Sequence, residues 1–235
     1  MGCGAAAVLG LAAGAFAHAS RWPGSQIFGR TLIAPRRPGE LALTFDDGPN
    51  PAWTPQLLDL LDRRGVKATF FLLGSFAERQ PVLARSIFDA GHKIGNHSWT
   101  HPNLSLTAAH RVDEELTRTK DTLEQITGNP VRYFRPPFGA RRPYVLRAAR
   151  SLGMTPVMWN AMTSDWEERS PDRIAERLMQ KIAMNERRGV AANIVLHDGD
   201  HQGLNADRGP SIGAVDRLLA QYAGTHKFVT VDAWG

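Results

Sequence analysis

Leu41-Ala42-Leu43-Thr44-Phe45-Asp46-Asp47-Gly48-Pro49 is an apolar run that stops abruptly on two acidic residues and a Gly-Pro pair. Leucine, alanine and phenylalanine suit a buried strand, but two ionised carboxylates in the same place need partners. In one account Asp46 and Asp47 only form a turn and cap the next helix, a common use of aspartate. In the other, side chains leave a strand alternately, so adjacent acids serve different neighbours: a cation for one, a mobile proton for the other.

Beyond this stretch, short apolar runs alternate with longer amphipathic ones. Apolar and β-branched content predicts strands at 41–46, 67–72, 92–96, 131–134, 155–159, 193–197 and 227–231. Helices are predicted near 53–64, 79–90, 107–127, 143–152, 171–188 and 210–222. In the third, Ala109, Val112, Leu116, Leu123 and Ile126 share one face and Gly128 closes it. Pro143, Pro171 and Pro210 stand where helices begin. Regular β-α alternation implies a parallel sheet covered by helices, and about seven such units in one domain predict a barrel-like α/β fold.

The 235 residues allow one full-size domain, and the apolar share of 43% with 22% charged residues is that of an ordinary globular protein. The net charge of +5 is spread along the chain, with no basic stripe interleaved with aromatics, so nucleic acid is not an expected partner. Cys3 is the single cysteine, which excludes an intrachain disulfide and a cysteine-based zinc centre. Gly4 to Ala17 is small and uncharged, and Ala17-His18-Ala19 has the form of a signal-peptidase site. Residues 1–19 therefore read as a signal peptide or a short membrane anchor, although no basic residue precedes the apolar run. Residues 20–39 read as an irregular lead-in, and 40–235 as the catalytic domain.

Polar residues collect at the strand ends. Asp46 and Asp47 end the first strand, His97 follows the third, and Arg135 ends the fourth. Asp165 and Trp166 follow the fifth, and His197 with Asp198 ends the sixth. In parallel barrels the loops at that rim converge on the active site. His97 and His101 are four apart, which on a helical turn puts both imidazoles on one face. Asp47 would complete a three-ligand site with an open position, the form of a catalytic zinc centre. His92, His110 and His201 are assigned to surface or packing roles. Arg135-Pro136-Pro137-Phe138-Gly139 is stiffened by its prolines, so the guanidinium can be held over a carboxylate. Asp165 can pair with His197 and keep it protonated as a general acid.

These motifs, in this order, resemble the polysaccharide deacetylases of the NodB-homology group of carbohydrate esterases. The resemblance runs from about Glu40 to Trp234 and rests on Thr44–Gly48, His97–His101, Arg135–Gly139, Asp165-Trp166 and Leu196–Asp198. It implies a distorted (β/α) barrel and a divalent metal, zinc first with cobalt, nickel or manganese as substitutes. It implies removal of acetyl groups from N-acetylated glycans such as peptidoglycan or chitin-like oligosaccharides. By the same resemblance Asp47, His97 and His101 bind the metal, Asp46 is the general base oriented by Arg135, and His197 is the general acid tuned by Asp165. Trp166 and Leu196 line the acetyl pocket, and the Phe138 amide helps hold the oxyanion. The chain departs from the family pattern at Phe138, where tyrosine is commoner, and at Met162-Thr163-Ser164, where many relatives carry another polar or acidic residue. The competing readings are a metal-dependent hydrolase of other acyl groups, such as acetyl-xylan esters, and a catalytically dead carbohydrate-binding protein. The expected location is the cell envelope, with the cytoplasm as the alternative and membrane association through the N-terminal apolar segment.

Overall fold

The computed structural model describes residues 14–235. Most of the signal-peptide reading therefore lies outside the described residues. Those of its residues that are described belong to a short helix at 14–21. No helix among the described residues is long and apolar enough to cross a membrane.

Strand β1 (Glu40–Gly48) is buried along nearly its whole length. After it come α1 (Thr54–Arg63), β2 (Thr69–Leu72), α2 (Gly74–Arg79), α3 (Pro81–Asp89) and β3 (Lys93–Asn96). The long α4 (Ala109–Thr127) leads to β4 (Tyr133–Phe134), α5 (Pro143–Ser151), β5 (Thr155–Pro156) and β6 (Ala161–Met162). The chain ends with α6 (Pro171–Arg187), β7 (Ala192–His197), α7 (Gly209–Tyr222) and β8 (Lys227–Val229). Every strand pair is parallel, in the order β5-β4-β3-β2-β1-β7-β6, while β8 pairs the start of β1. The sheet curls into an incomplete barrel with helices outside, the distorted (β/α) architecture expected.

Alternation along the central strands sorts two cores. Leu41, Leu43 and Phe45 of β1, Phe70 and Leu72 of β2, and Ile194 and Leu196 of β7 face outward into the helix-covered core. Ala42 and Phe71 face inward with Val157, Val229 and Val231, and Val195 packs inward with Met158 and Trp159. β1 lies between β7 on one edge and β2 with β8 on the other, so three neighbours hold it.

Two expectations need correcting, and one short helix is not predicted from the sequence. The strand read at 155–159 is two residues long and is followed by a separate β6, so Asp165 follows β6 instead of β5. The helix read at 79–90 is α3; the short α2 before it is the unpredicted one, and Gln80 separates the two because a residue preceding proline is driven out of helical geometry. The five residues from His97 to His101 are not helical; Ser98 (φ 70°) and His101 (φ 62°) take left-handed backbone instead. The lead-in is irregular, and it is tied to the domain. Leu32 bridges Val157 at the edge of β5, where no ladder among the described residues joins β5 to β6. Buried Arg141 also ties the backbone carbonyls of Trp22 (2.7 Å) and Ser25 (2.9 Å) to the domain.

The rim is closely packed where β1 and β7 end. A Cβ on Gly199 would lie 1.9 Å from the Asp47 carbonyl oxygen, so only glycine lets the two loops approach. Gly199→Ala is expected to cost about 1–3 kcal/mol through this overpacking. A urea titration reads that loss, and an unchanged midpoint would show that the loops do not touch.

Candidate metal and active site

Asp46 and Asp47 lie at the C-terminal end of β1, where the pairing register with β2 shifts between Asp46 and Gly48. Strict alternation would send the two side chains to opposite faces. Asp47, however, has φ 68°, and both carboxylates line one cleft of about 350 Å³. Neither caps α1, whose N-cap Trp53 makes no side-chain capping bond. Among the described residues the non-glycine positions with left-handed backbone are Asp47, Ser98, His101 and Phe138, all of them here. Such conformations cost on the order of 1–3 kcal/mol each and persist only where the surroundings enforce them.

The two acids have different partners. Arg135, fully buried, donates from Nη1 to Asp46 Oδ1 (2.7 Å) and to Thr44 Oγ1 (2.8 Å), with its guanidinium over the Phe71 ring. Asp46 Oδ2 is left toward the cleft, 3.8 Å from His97 Nε2. Asp47 Oδ1 lies 3.4 Å from His97 Nε2 and 3.2 Å from His101 Nε2. Burial pushes the Asp47 carboxyl up, but the hydrogen bonds offered by His201 and His97 outweigh that and hold it well below the usual carboxylate range. Burial brings His101 down to about 3, against the pull of Asp47, so its imidazole is neutral with a lone pair to give.

The turn that carries the histidines is fixed from several sides. His97 Nδ1–H donates to the Arg135 carbonyl (2.8 Å), which orients the ring with Nε2 aimed into the cleft. Asn96 Oδ1 accepts the Ser98 amide and Ser98 Oγ accepts the His101 amide. Glu115, buried on α4, accepts the amides of Trp99 (2.7 Å) and Thr100 (2.8 Å). Sequence reasoning missed Glu115, yet the signal was there. It lies three residues after Val112 and beside Leu116 on the apolar face of α4, and a carboxylate on such a face needs donors.

The residues present fit a divalent cation. Ligand atoms of Asp47, His97 and His101 lie within 4.8 Å of one another, and all three side chains are buried. Asp47 Oδ1 is buried without a hydrogen-bond partner although it faces both imidazoles. One carboxylate and two imidazoles form a donor set suited to zinc-like ions, with room for further ligands.

Opposite the triad stands His197. Its Nδ1 meets Asp165 Oδ1 at 2.8 Å, while its backbone amide and the Ser211 hydroxyl both donate to Asp165 Oδ2. Burial lowers the His197 pKa, but the charge and hydrogen bond of Asp165 prevail and raise it to about 9. Trp166, 39% exposed, stands edge-on to His197 at 4.9 Å. Phe138, 54% exposed, stands edge-on to His101 at 4.5 Å, and both aromatic rings line the cleft. Leu196 does not: it is fully buried in the outer core, and its inward-facing neighbour Val195 lines the cleft with Trp159 and Met162. Alternation explains the correction, since His197 and Val195 share a face that Leu196 cannot. His201, assigned to packing, is also in the cleft, stacked on His101.

The profile of the polysaccharide deacetylase family matches residues 34–157. The chain belongs to this family. A chitooligosaccharide deacetylase of Azorhizobium caulinodans is 37% identical over 174 residues, which span 74% of this chain and 80% of the relative. The structure of the Bc1960 peptidoglycan N-acetylglucosamine deacetylase, in complex with 4-naphthalen-1-yl-N-oxidanyl-benzamide, superposes with a TM-score of 0.77 at 31% identity, covering 86% of this chain and 91% of that one. BA3943 from Bacillus anthracis, a pseudoenzyme of carbohydrate esterase family 4, also superposes with a TM-score of 0.77, at 27% identity over 87% of this chain and 68% of its own. The deacetylase fold is thus compatible with an inactive site, and activity has to be argued from the residues.

Because Asp165 raises the His197 pKa, its removal has a defined sign. Asp165→Asn is expected to bring the His197 pKa down from about 9 by at least one unit. An NMR titration of the imidazole resonances reads the shift, and a midpoint unmoved from the wild-type value would show that Asp165 is not its partner.

Proposed function

We propose that the protein hydrolyses the acetamide of N-acetylglucosamine residues in a glycan, giving acetate and a free amino sugar. The observation that carries this reading is the pair of acids: Asp47 turned to two imidazoles, and Asp46 beside it with one oxygen bound by Arg135 and the other open to the cleft. Asp47, His97 and His101 would hold the ion, with zinc favoured by the imidazole-rich donor set. When bound, a divalent ion supplies Lewis acidity, which makes water a better nucleophile at neutral pH and polarises a carbonyl.

The chain's own residues then divide the proton work. Asp46 Oδ2 accepts a proton from the attacking water, and Arg135 fixes the direction in which that oxygen points. The water oxygen bonds to the acetyl carbon, and the Phe138 amide, held in left-handed backbone, donates to the oxygen that gains charge. As the carbon–nitrogen bond breaks, His197 gives its Nε2 proton to the nitrogen, since an amine leaves far more readily than its anion. Asp165 keeps that proton on His197 up to about pH 9. Trp159, Met162, Trp166 and Val195 form an apolar wall of the cleft against which the acetyl methyl group would rest.

The names of the relatives favour a peptidoglycan or chitin-like substrate. The apolar residues 4–17 and Ala17-His18-Ala19 favour export to the cell envelope. Acetate release from chitooligosaccharides, peptidoglycan fragments and acetylated xylan tests the substrate class. The N-acetylated glycans should be consumed at least 10-fold faster than the xylan ester, and the reverse order would make the protein an esterase. Asp46→Asn should fold and retain metal while losing about 10²–10⁴-fold in turnover, the usual share of a general base; near-normal rates in that variant would remove Asp46 from the chemistry.

A further inference from the structure

The loop between β7 and α7 is built to carry one side chain. Asp198 is buried beneath it and accepts the Thr54 hydroxyl. Buried Arg208 donates from Nε to the Gly199 carbonyl (2.6 Å) and from Nη2 to Asp200 (3.0 Å), and Asn50 donates to the Ala206 carbonyl (3.0 Å). Held at both ends, the loop places His201 against the metal pocket. The His201 ring lies 4.3 Å from that of His101 at an interplanar angle of 22°. Its Nδ1 is 3.7 Å from Asp47 Oδ2, in ion-pair range.

Lone pairs of imidazole lie in the ring plane. Two rings stacked nearly parallel therefore cannot both aim a lone pair at one ion, and His201 in this pose is not a fourth ligand. The need it meets is visible in the other two histidines. Metal-binding histidines are ordinarily oriented by a hydrogen bond to the second ring nitrogen. His97 has such a bond, to the Arg135 carbonyl. His101 does not: its Nδ1 is buried with no hydrogen-bond partner. Packing alone sets the His101 ring, with Phe138 at its edge (4.5 Å, 71°) and His201 on its face.

We infer that His201 is a positioning residue for the metal pocket, clamping the His101 ring by stacking and holding the outer oxygen of Asp47. In this way Oδ1 of Asp47 and Nε2 of His101 are presented together at 3.2 Å before an ion arrives. The affinity for the ion is thereby raised by a residue that does not touch it. This rests on the metal-dependent reading above.

The test measures zinc affinity by chelator competition, and the visible spectrum of the cobalt-loaded protein, for the wild type, His201→Ala, His201→Phe and His201→Gln. Loss of an outer partner typically weakens metal binding about 10–100-fold. His201→Ala is expected to weaken zinc binding at least 10-fold and to alter the cobalt bands. His201→Phe, which keeps the stacking face, and His201→Gln, which keeps a donor, should each recover part of the loss. Zinc affinity of His201→Ala within twofold of wild type, with an unchanged cobalt spectrum, would overturn the inference and leave the metal site intact. If the wild type takes up no zinc, the metal-dependent reading falls and this inference with it. Should His201→Ala not fold, His201→Gln decides, because losing the stacking face alone must weaken zinc several-fold and an unaltered affinity contradicts the clamp.

Discussion

Two consecutive, buried carboxylates cannot share a surrounding without each being compensated, and the site follows from how this chain compensates them differently. Asp46 takes a guanidinium on one oxygen, in a hydrogen-bonded pair that also engages Thr44 from the same strand. Removing one member of such a buried pair typically costs about 3–5 kcal/mol, because the other is left as an uncompensated charge. Asp47 takes two imidazoles instead, and its inner oxygen has no hydrogen atom to accept. A positive ion is what that oxygen lacks. In the proposed division of labour, Asp46 for protons and Asp47 for metal, the difference is therefore set by neighbours and not by residue type.

The fold supplies the rigidity that keeps the compensation in place. β1 is paired on both edges, Arg135 reaches it from the end of β4, and the histidines follow β3. Left-handed backbone at Asp47, Ser98, His101 and Phe138 bends the rim loops inward and is unfavourable in isolation. The bends at Ser98 and His101 are held by buried bonds from Glu115, Asn96 and Ser98. The helix-covered core below, where β1, β2 and β7 meet, provides the floor against which this strain is held.

Much of the arrangement was legible in the sequence because Asp46 and His197 close apolar runs. Strands β1 and β7 announce themselves by Leu41–Phe45 and Ile194–Leu196, and the polar residue that ends each lies at the rim. Strand β6 gives no such signal: two residues, Ala161 and Met162, pair with β7 just beyond the strand read at 155–159. Leu196 shows a different failure, in which a motif position stands for a wall residue although alternation already pointed to Val195. His201 was illegible for a tertiary reason. Its place depends on Arg208, Asn50 and Thr54, which are scattered along the chain and gather only when the loop folds back. The lead-in is similar, since nothing in its prolines and glycines shows that Arg141 will capture its carbonyls.

The central claim is that Asp47, His97 and His101 bind one ion together while Asp46 remains unbound to it. X-ray absorption at the zinc edge of the stoichiometrically loaded protein addresses this directly. The account predicts two imidazole nitrogens and at least one carboxylate oxygen at about 2.0–2.2 Å, with the imidazole signal reduced in His97→Ala and retained in Asp46→Asn. A shell of oxygens without imidazole scattering, or an imidazole signal unaffected by His97→Ala, would contradict it.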